Sequence, residues 1–544
     1  MNSIFKPQFF TLAKGGISKS QIGSDILAGI VVGIIALPLS IAFAVASGVS
    51  PEKGIITGVI AGFLISFLGG SRVQIGGPTG AFVVIIWGIH NQYGYEGLFY
   101  STLIAGAILV LFGLFKMGKL LKYIPYPLVV GFTSGIAVVI FTTQVKDALG
   151  MAISDVPADF LDKWALYFHS LDKINPAAVA VTAGTILISL GTEKITRRIP
   201  GSFLAILVVS ALAAILKLPV ETIGSQFGEI PNRIALAIPA PDPALIPAYI
   251  KSGLIIALLG GIESLLSATV SDGMIGGNHR SNTELIGQGI ANMVVPLFGG
   301  IPATGAIART AANVKNGGRT PISGMVHGLT LLSVMLFFGP LVRYIPMACL
   351  AGILIIVSYN MSEWRTFRDL LKAHNSDIIV LLVTFFLTVI FDLVLAIEVG
   401  VVLSSLLFMK RMSDIAEKRM DYVVDTDLIE DYSELPDGVG VYEISGPLFF
   451  ATARKYVDLM KEAGIDNRVM IIRMRHVDFI DQTGLRNLHD ALEFLHHRSI
   501  PVLLSGLNEE VENVLVKSNI LDLIPVEQHY SQFREALERA KDMV

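Results

Sequence analysis

Between Ile26 and Phe115 the chain carries four formal charges, Glu52, Lys53, Arg72 and Glu96. The apolar stretches between them are each long enough to cross a hydrocarbon core of about 30 Å. No other feature limits the fold so strongly, because a backbone in lipid stays helical unless it is buried in protein or lines a watery cavity. The rest of the 544 residues follow the same trend: 16% are charged, against roughly 25% in soluble domains. We therefore expect a polytopic, all-α membrane protein over most of the length. The net charge of −4 offers no face for nucleic acid. The single cysteine, Cys349, lies in an apolar run, which excludes a disulfide framework and a multi-cysteine metal site. Residues 1–24 are polar and mildly basic (Lys6, Lys14, Lys19) and lack a cleavable signal, so the first apolar segment is expected to remain as an anchor.

The sequence also repeats itself. "IIAL" at 34–37 recurs at 255–258 and "KYIP" at 122–125 recurs as "RYIP" at 343–346, both at an offset of 221; "TGA" at 79–81 recurs at 304–306, offset by 225. One such match is a coincidence of common residues, but three in the same order at nearly one offset indicate duplication of a unit of about 220 residues. The units, about 25–216 and 252–410, each hold seven apolar segments. An odd number sets the second copy upside down, giving 14 transmembrane segments as a 7+7 inverted repeat. With the N-terminus in the cytoplasm, inward loops carry Arg72, Lys116, Lys119, Lys122, Lys194, Arg197, Arg198, Arg280, Lys315, Arg319, Arg365, Arg368 and Lys372. The long outward connection 146–173 is mixed, with Asp155, Asp159, Asp162 and Asp172. That is the positive-inside pattern.

Both units are broken by helix-disfavouring residues, "GGPTGAFVVI" at 76–85 and "PATGAIA" at 302–308. The apolar segments 79–90 and 304–312 are too short to span alone at 1.5 Å per residue. They are expected to be half-helices starting near the midplane, with Thr79-Gly80-Ala81 and Thr304-Gly305-Ala306 as first turns. A helix N-terminus presents free N–H groups and about +0.5 elementary charge, so two facing ends make an anion site without an obligatory basic side chain. Gly80, Ala81, Gly305 and Ala306 let a ligand approach the backbone. Inverted repeats with facing breaks of this kind mark a secondary transporter. The plainer reading, a Gly-Pro kink in a packed helix, suits either break alone better than it suits the pair.

Glu263 lies deep in the apolar run that follows Lys251. A charge at that depth costs at least about 2.5–3.5 kcal/mol on insertion scales, so Glu263 is expected to exchange protons and couple them to anion movement. Ser267, one turn on, is placed to hydrogen-bond it or the substrate; a structural carboxyl bonded to Ser or Thr between helices is the bland alternative. Arg309, inside the second half-helix, either complements the anion or pairs with Glu263. Asp392 and Glu398 read as packing or topological features.

From about Arg411 the composition turns charged and soluble. A linker (411–435) leads to a domain (436–544) with strands near 438–445, 468–474 and 500–506 and helices near 452–463, 484–497, 508–517 and 530–541. This alternation predicts a small α/β domain. Thr483 in "DQTG" falls at a helix N-terminus, where Thr is usually a cap; phosphorylated, it would place a dianion on the helix dipole.

The stretches "GPTGAFVVI", "GGIESLLSATVSDG", "ELIGQGIANMVVPLFGGIPATGAIARTAANVKNGGRTPISG" and "FIDQTGL" resemble the SulP family of anion transporters, bacterial relatives of the animal sulfate/anion exchangers and prestin, over nearly the whole chain. The resemblance implies core and gate domains, a cytoplasmic C-terminal STAS domain, elevator-type alternating access, and a homodimer in the bacterial inner membrane with both termini cytoplasmic. It also implies a substrate site around Thr79–Ala81 and Thr304–Ala306 with the segment Ala36–Phe43, which brings in Ser40 and Phe43. Thr483 matches a position phosphorylated in some STAS proteins, and a cytoplasmic protein partner of that domain is a further expectation. No cofactor is expected beyond a coupling proton, with sodium second.

Within the family, sulfate-type members carry Pro-Gln and a following Tyr in the first span, where this chain reads "ALPLSIAFA" with Leu39 and Phe43. Sodium-coupled bicarbonate members resemble that span better, yet have Asp and Thr at Glu263 and Ser267 and no basic residue at Arg309. Glu263, "AIARTAANV" and "YNMSEWRTFRDLL" look most like members that take up C4-dicarboxylates (succinate, fumarate, aspartate) with protons. That is the leading expectation, with bicarbonate or sulfate symport or exchange as the alternative. A membrane-tethered STAS sensor is the reading from another class, disfavoured because the repeat symmetry and intramembrane charges persist. An enzyme is not expected, since the soluble domain shows no nucleophile–base pair.

Overall fold

The computed structural model describes residues 5–119, 125–153, 156–157, 159–195, 200–228, 235–236, 238–391, 393–423, 435–450, 453, 457–458, 460 and 467–544. Lys122, Asp155, Arg197, Arg198, Asp392 and most of the expected helix 452–463 lie outside the described residues. The chain forms two compact units, Met1–Val401 and Val402–Val544.

The first repeat runs through α1 (Gln8–Gly15), α2 (Lys19–Ala46), α3 (Pro51–Leu68), β1 (Gly76–Gly77), α4 (Val83–Leu114), α5 (Tyr126–Leu149), α6 (Phe160–His169), α7 (Pro176–Ile195), α8 (Gly201–Ile215) and α9 (Ile223–Phe227). The second runs through α10 (Ile246–Ile275), α11 (Ser281–Val294), β2 (Thr304–Gly305), α12 (Ile307–Lys315), α13 (Ile322–Val342), α14 (Met347–Met361), α15 (Trp364–Leu370), α16 (Asn375–Ile390) and α17 (Leu393–Val423). Among the described residues, seven helices are long and apolar enough to cross a membrane, and α8, α16 and most of α7 form shorter apolar helices.

Packing repeats with the sequence. Helix α4 lies against α10 and α11, and its counterpart α13 lies against α2 and α3. In the same way α5 packs on α14 and α16, while α14 packs on α5 and α7. The outcome is a core of α2–α4 with α10–α13 and a gate of α5, α7, α8, α14 and α16, met by α2 along α14 and α8. Small residues set the approach distances: a Cβ on Gly106 of α4 would stand 2.6 Å from the Gly289 carbonyl of α11, and one on Gly289 would stand 2.6 Å from the Gly106 carbonyl. Backbones this close gain dispersion contacts that lipid tails cannot replace.

Several boundaries differ from the sequence expectation. Helix α2 starts at Lys19, capped by Ser18, whose hydroxyl accepts from Gln21 N at 3.2 Å; part of the polar 1–24 segment is thus helical. The segment expected to end at residue 90 continues in α4 as far as Leu114, broken at Gly94, whose φ of 66° lies in the left-handed region that glycine enters without steric cost. Helix α17 runs through Val423, so 411–423 of the expected linker is helical; that stretch has no Gly or Pro to stop it.

The C-terminal unit holds a four-stranded sheet ordered β3-β4-β5-β6, from Val439–Ser445, Val469–His476, Val502–Ser505 and His529–Tyr530, with every neighbouring pair parallel. Alternation along β4 explains its two covered faces: Met470, Ile472 and Met474 join Leu485, Leu488 and Leu492 of helix Gln482–His497, while Val469 and Ile471 meet Phe533 and Leu537 of helix Phe533–Lys541. Tyr530, expected to open the last helix, instead forms the edge strand with His529.

Candidate anion-binding site

The two breaks in the apolar sequence meet. β1 and β2 pair antiparallel, with Gly76 opposite Gly305 and Gly77 opposite Thr304. After β1, Thr79 is extended (φ −129°, ψ 159°), and a 3-10 turn over Gly80–Phe82 leads into α4. After β2, Ala306 is the residue before α12, which starts at Ile307. Thr304-Gly305-Ala306 is therefore not a first helical turn: two of its residues belong to the strand, because pairing with β1 supplies the backbone partners a helix would otherwise provide.

Non-helical backbone at this depth needs its polar groups answered, and side chains from the opposite repeat do so. Ile75 N donates to Thr310 Oγ1 at 3.0 Å, Asn313 Nδ2 to the Val73 carbonyl at 2.8 Å, and Gln74 Nε2 to Ser264 Oγ at 3.0 Å. Ala306 N donates to the Ile75 carbonyl at 2.9 Å. On the segment leading into β2, Ile301 N donates to Thr57 Oγ1 of the first repeat at 2.7 Å, while Ala303 N is answered within its own repeat by Asn292 Oδ1 at 2.9 Å. The sequence reading missed these braces; Thr, Asn and Gln within otherwise apolar runs were the available signal.

Thr79 Oγ1 donates to Glu263 Oε2 at 3.1 Å, and the Glu263 side chain keeps partial access while Thr79 is buried. Arg309 is buried, donates from Nη2 to the Pro78 carbonyl, and has no ion pair with Glu263 among the described residues. Of the expected alternatives for Arg309, pairing with Glu263 is thus not the one adopted. Its guanidinium presses against Gly77, whose φ of 153° and missing side chain admit it. The 3-10 turn ahead of α4 lies between Phe43 of α2 and the gate: a Cβ on Gly80 would stand 3.3 Å from Phe43 Cε1, 3.4 Å from Ile140 Cδ1 of α5 and 2.7 Å from Met361 Sδ of α14. Ala81 and Ala306 are both buried beside these turns.

Three expected site residues are placed otherwise. Ser40 Oγ is buried against α3, 3.4 Å from where Gly58 would carry a Cβ. Thr304 Oγ1 donates to the Gly260 carbonyl at 2.8 Å, fully buried. Ser267 donates to Thr310 Oγ1 at 3.3 Å and no bond joins it to Glu263, whose carboxylate is turned to Thr79. In the C-terminal unit, Thr483 is exposed and the cap is Asp481, whose Oδ1 accepts from Gly484 N at 2.7 Å. Asp481, two residues earlier at the N-cap, reaches the free N–H groups that Thr483, already helical, cannot.

Crossed half-helices between a core and a gate are the arrangement of a membrane anion transporter. The chain belongs to the sulfate permease family: the family model matches residues 22–384, and the STAS domain model matches 433–533. It is 41% identical over 86% of its length to YvdB of Bacillus subtilis, named as a candidate sulfate transporter, and covers 88% of that protein. It is 29% identical over 87% of its length to the bicarbonate transporter BicA of Picosynechococcus, covering 87% of it. Among solved structures, the transmembrane domain of a cyanobacterial BicA matches at 28% identity and a TM-score of 0.64, over 70% of this chain and 98% of that one. Murine Slc26a9 in its inward-facing state shares the fold with a TM-score of 0.87 at 17% identity, over 98% of this chain and 94% of the other. The protein is thus a multi-pass membrane anion transporter with a C-terminal STAS domain.

Proposed function

We propose that the protein carries bicarbonate by alternating access, with the anion at the first turn of α4, between Thr79, Gly80 and Ala81, the α12 end near Gly305 and Ala306, and Phe43. The supporting observation is the charge arrangement around the β1–β2 crossing: two half-helix ends, Arg309 against β1, and Glu263 bonded to Thr79. Each helix end contributes about +0.5 elementary charge. With Arg309 at +1 and Glu263 ionised, the site sums to about +1, which suits a monovalent oxyanion. A proton on Glu263 raises the sum to about +2. That supports a second reading, proton-coupled sulfate, favoured by the 41% identity to YvdB.

The C4-dicarboxylate expectation gives way to these inorganic oxyanions. The relatives above are named for sulfate and bicarbonate. Elevator-type movement of the core, a homodimer, and an inner-membrane location with both termini cytoplasmic complete the proposal. So do Thr483 as a modification site and a cytoplasmic partner for the STAS domain.

Uptake of labelled bicarbonate, sulfate and succinate into proteoliposomes, with and without an inward proton gradient, tests the reading. Bicarbonate uptake by the wild type that is indifferent to the gradient supports it. Gradient-driven sulfate uptake that becomes gradient-independent in Glu263→Gln selects the second reading. Succinate as the preferred substrate overturns both.

A further inference from the structure

The first helix is fastened to the core and leaves one face uncovered. Gln8 N of α1 donates to the Gly69 carbonyl that follows α3 at 3.0 Å, and Lys6 N donates to Thr283 Oγ1 of α11 at 3.3 Å. Arg280, just ahead of α11, donates from Nη1 to the Lys6 carbonyl at 2.7 Å and to Thr11 Oγ1 at 2.8 Å. Phe9 and Phe10 each lie 5.3 Å, centroid to centroid, from Phe67 of α3. These partners all sit on or beside the core helices α3 and α11. The other side of α1 is open: Phe10 is 45% exposed and Phe5, just before the helix, 36%, with Ala13 and Lys14 exposed beside Phe10.

The charges around this face are of one sign. Residues 1–24 contain Lys6, Lys14 and Lys19, all exposed, and no Asp or Glu; exposed Arg72 follows α3 at the same end. The acids nearby are occupied. Asp25 is buried and accepts from Thr320 Oγ1 at 2.6 Å and Arg319 N at 2.7 Å, Asp272 is bonded to His279, and Glu284 accepts from the amides of Gly70 and Ser71. Residues 16–18 then lead straight into α2, which is long and apolar enough to cross a membrane, so α1 stands where a bilayer surface begins. Exposed aromatic rings beside basic side chains on a short helix suit the boundary between headgroups and acyl chains. We propose that the open face of α1 docks on the bilayer surface, with Phe5 and Phe10 below the headgroups and Lys6, Lys14 and Lys19 on anionic ones, so that the core carries its own lipid anchor. The inference rests on the reading above for the cytoplasmic side of that surface and for the movement of the core, which α1 would share.

The test uses the full-length protein in vesicles of phosphatidylcholine, alone or mixed with an equal part of phosphatidylglycerol, with and without lipids brominated high on the acyl chain. Phe10→Trp is compared with the parent protein, whose Trp87, Trp164 and Trp364 set the background. The added indole fluorescence is expected to be quenched by the brominated lipid and shielded from aqueous acrylamide, more strongly when phosphatidylglycerol is present. Lys6→Gln, Lys14→Gln and Lys19→Gln together should remove the phosphatidylglycerol gain, since each Lys near an anionic surface strengthens attachment about fivefold. Ala13→Trp, on the same open face, serves should Phe10→Trp not fold. Quenching by acrylamide and not by brominated lipid overturns the proposal, and so does shielding from both, the mark of a protein partner on that face. Equal quenching in the two vesicle types overturns the anionic headgroup assignment. The readout does not depend on transport, so a wild type that carries neither anion sinks the functional reading and leaves this one standing.

Discussion

The two crossed segments share a backbone plan and differ in chemistry. Both pass from a two-residue strand into a helix, and each is braced by polar side chains of the other repeat. Yet Thr79 is bonded to a carboxylate, whereas its counterpart Thr304 is bonded to a backbone carbonyl and sealed from access. At the offset of 221, Glu263 corresponds to Ala42; at 225, Arg309 corresponds to Val84. Duplication therefore explains the paired helix ends, which are a backbone property, while both intramembrane charges of the site belong to the second repeat. A symmetric dipole pair supplies attraction for any small anion, and the asymmetric side chains decide valence and coupling.

The comparison breaks most severely at Arg309. Arg309→Gln is expected to lower anion uptake roughly hundredfold, and Val84→Arg in that background should not restore it, because residue 84 has no glycine strand and Pro78 carbonyl waiting for a guanidinium. Restored uptake would show the halves to be interchangeable. Next comes Glu263→Gln, for which we expect about a tenfold change in rate and, on the proton-coupled sulfate reading, uptake that no longer responds to an inward proton gradient; a retained response would place the coupling proton elsewhere.

The paired threonines sharpen the contrast. Thr79→Val should raise KM about fivefold by releasing Glu263. Thr304→Val should leave KM unchanged and cost about 1 kcal/mol of stability, read by thermal unfolding, since only the Gly260 carbonyl loses a partner. Equal KM effects would mean that both hydroxyls reach the anion. The smallest effect is outside the membrane unit: Asp481→Ala should cost about 1 kcal/mol of local helix stability, seen as faster hydrogen exchange at residues 482–486, with transport unaltered.

Much of this architecture was legible beforehand because its signals are local. Charge-poor runs specify membrane helices wherever they occur, and the repeated "TGA" marks the two breaks without any knowledge of packing. The α/β character of the C-terminal domain follows from short continuous apolar runs such as "RVMIIRM" alternating with helical patterns, again a local signal. Ser40 and Ser267 were assigned to the site because they share a stretch of helix with groups that do face it. Helical spacing relates residues on one element, and says nothing about which neighbour that face will meet.

Composition and pattern alone specify a membrane transporter with an inverted repeat, two interrupted segments, an intramembrane carboxylate and guanidinium, and an α/β tail. These properties depend on solvation and backbone propensity, which act residue by residue. Only the tertiary structure decided that the interruptions pair as strands, that Glu263 answers Thr79 and not Ser267, and that Arg309 lies on Gly77 and Pro78 instead of on Glu263. Those outcomes are choices among several satisfiable partners in a low-dielectric interior, and long-range packing of α2, α3, α10 and α13 around the crossing makes them.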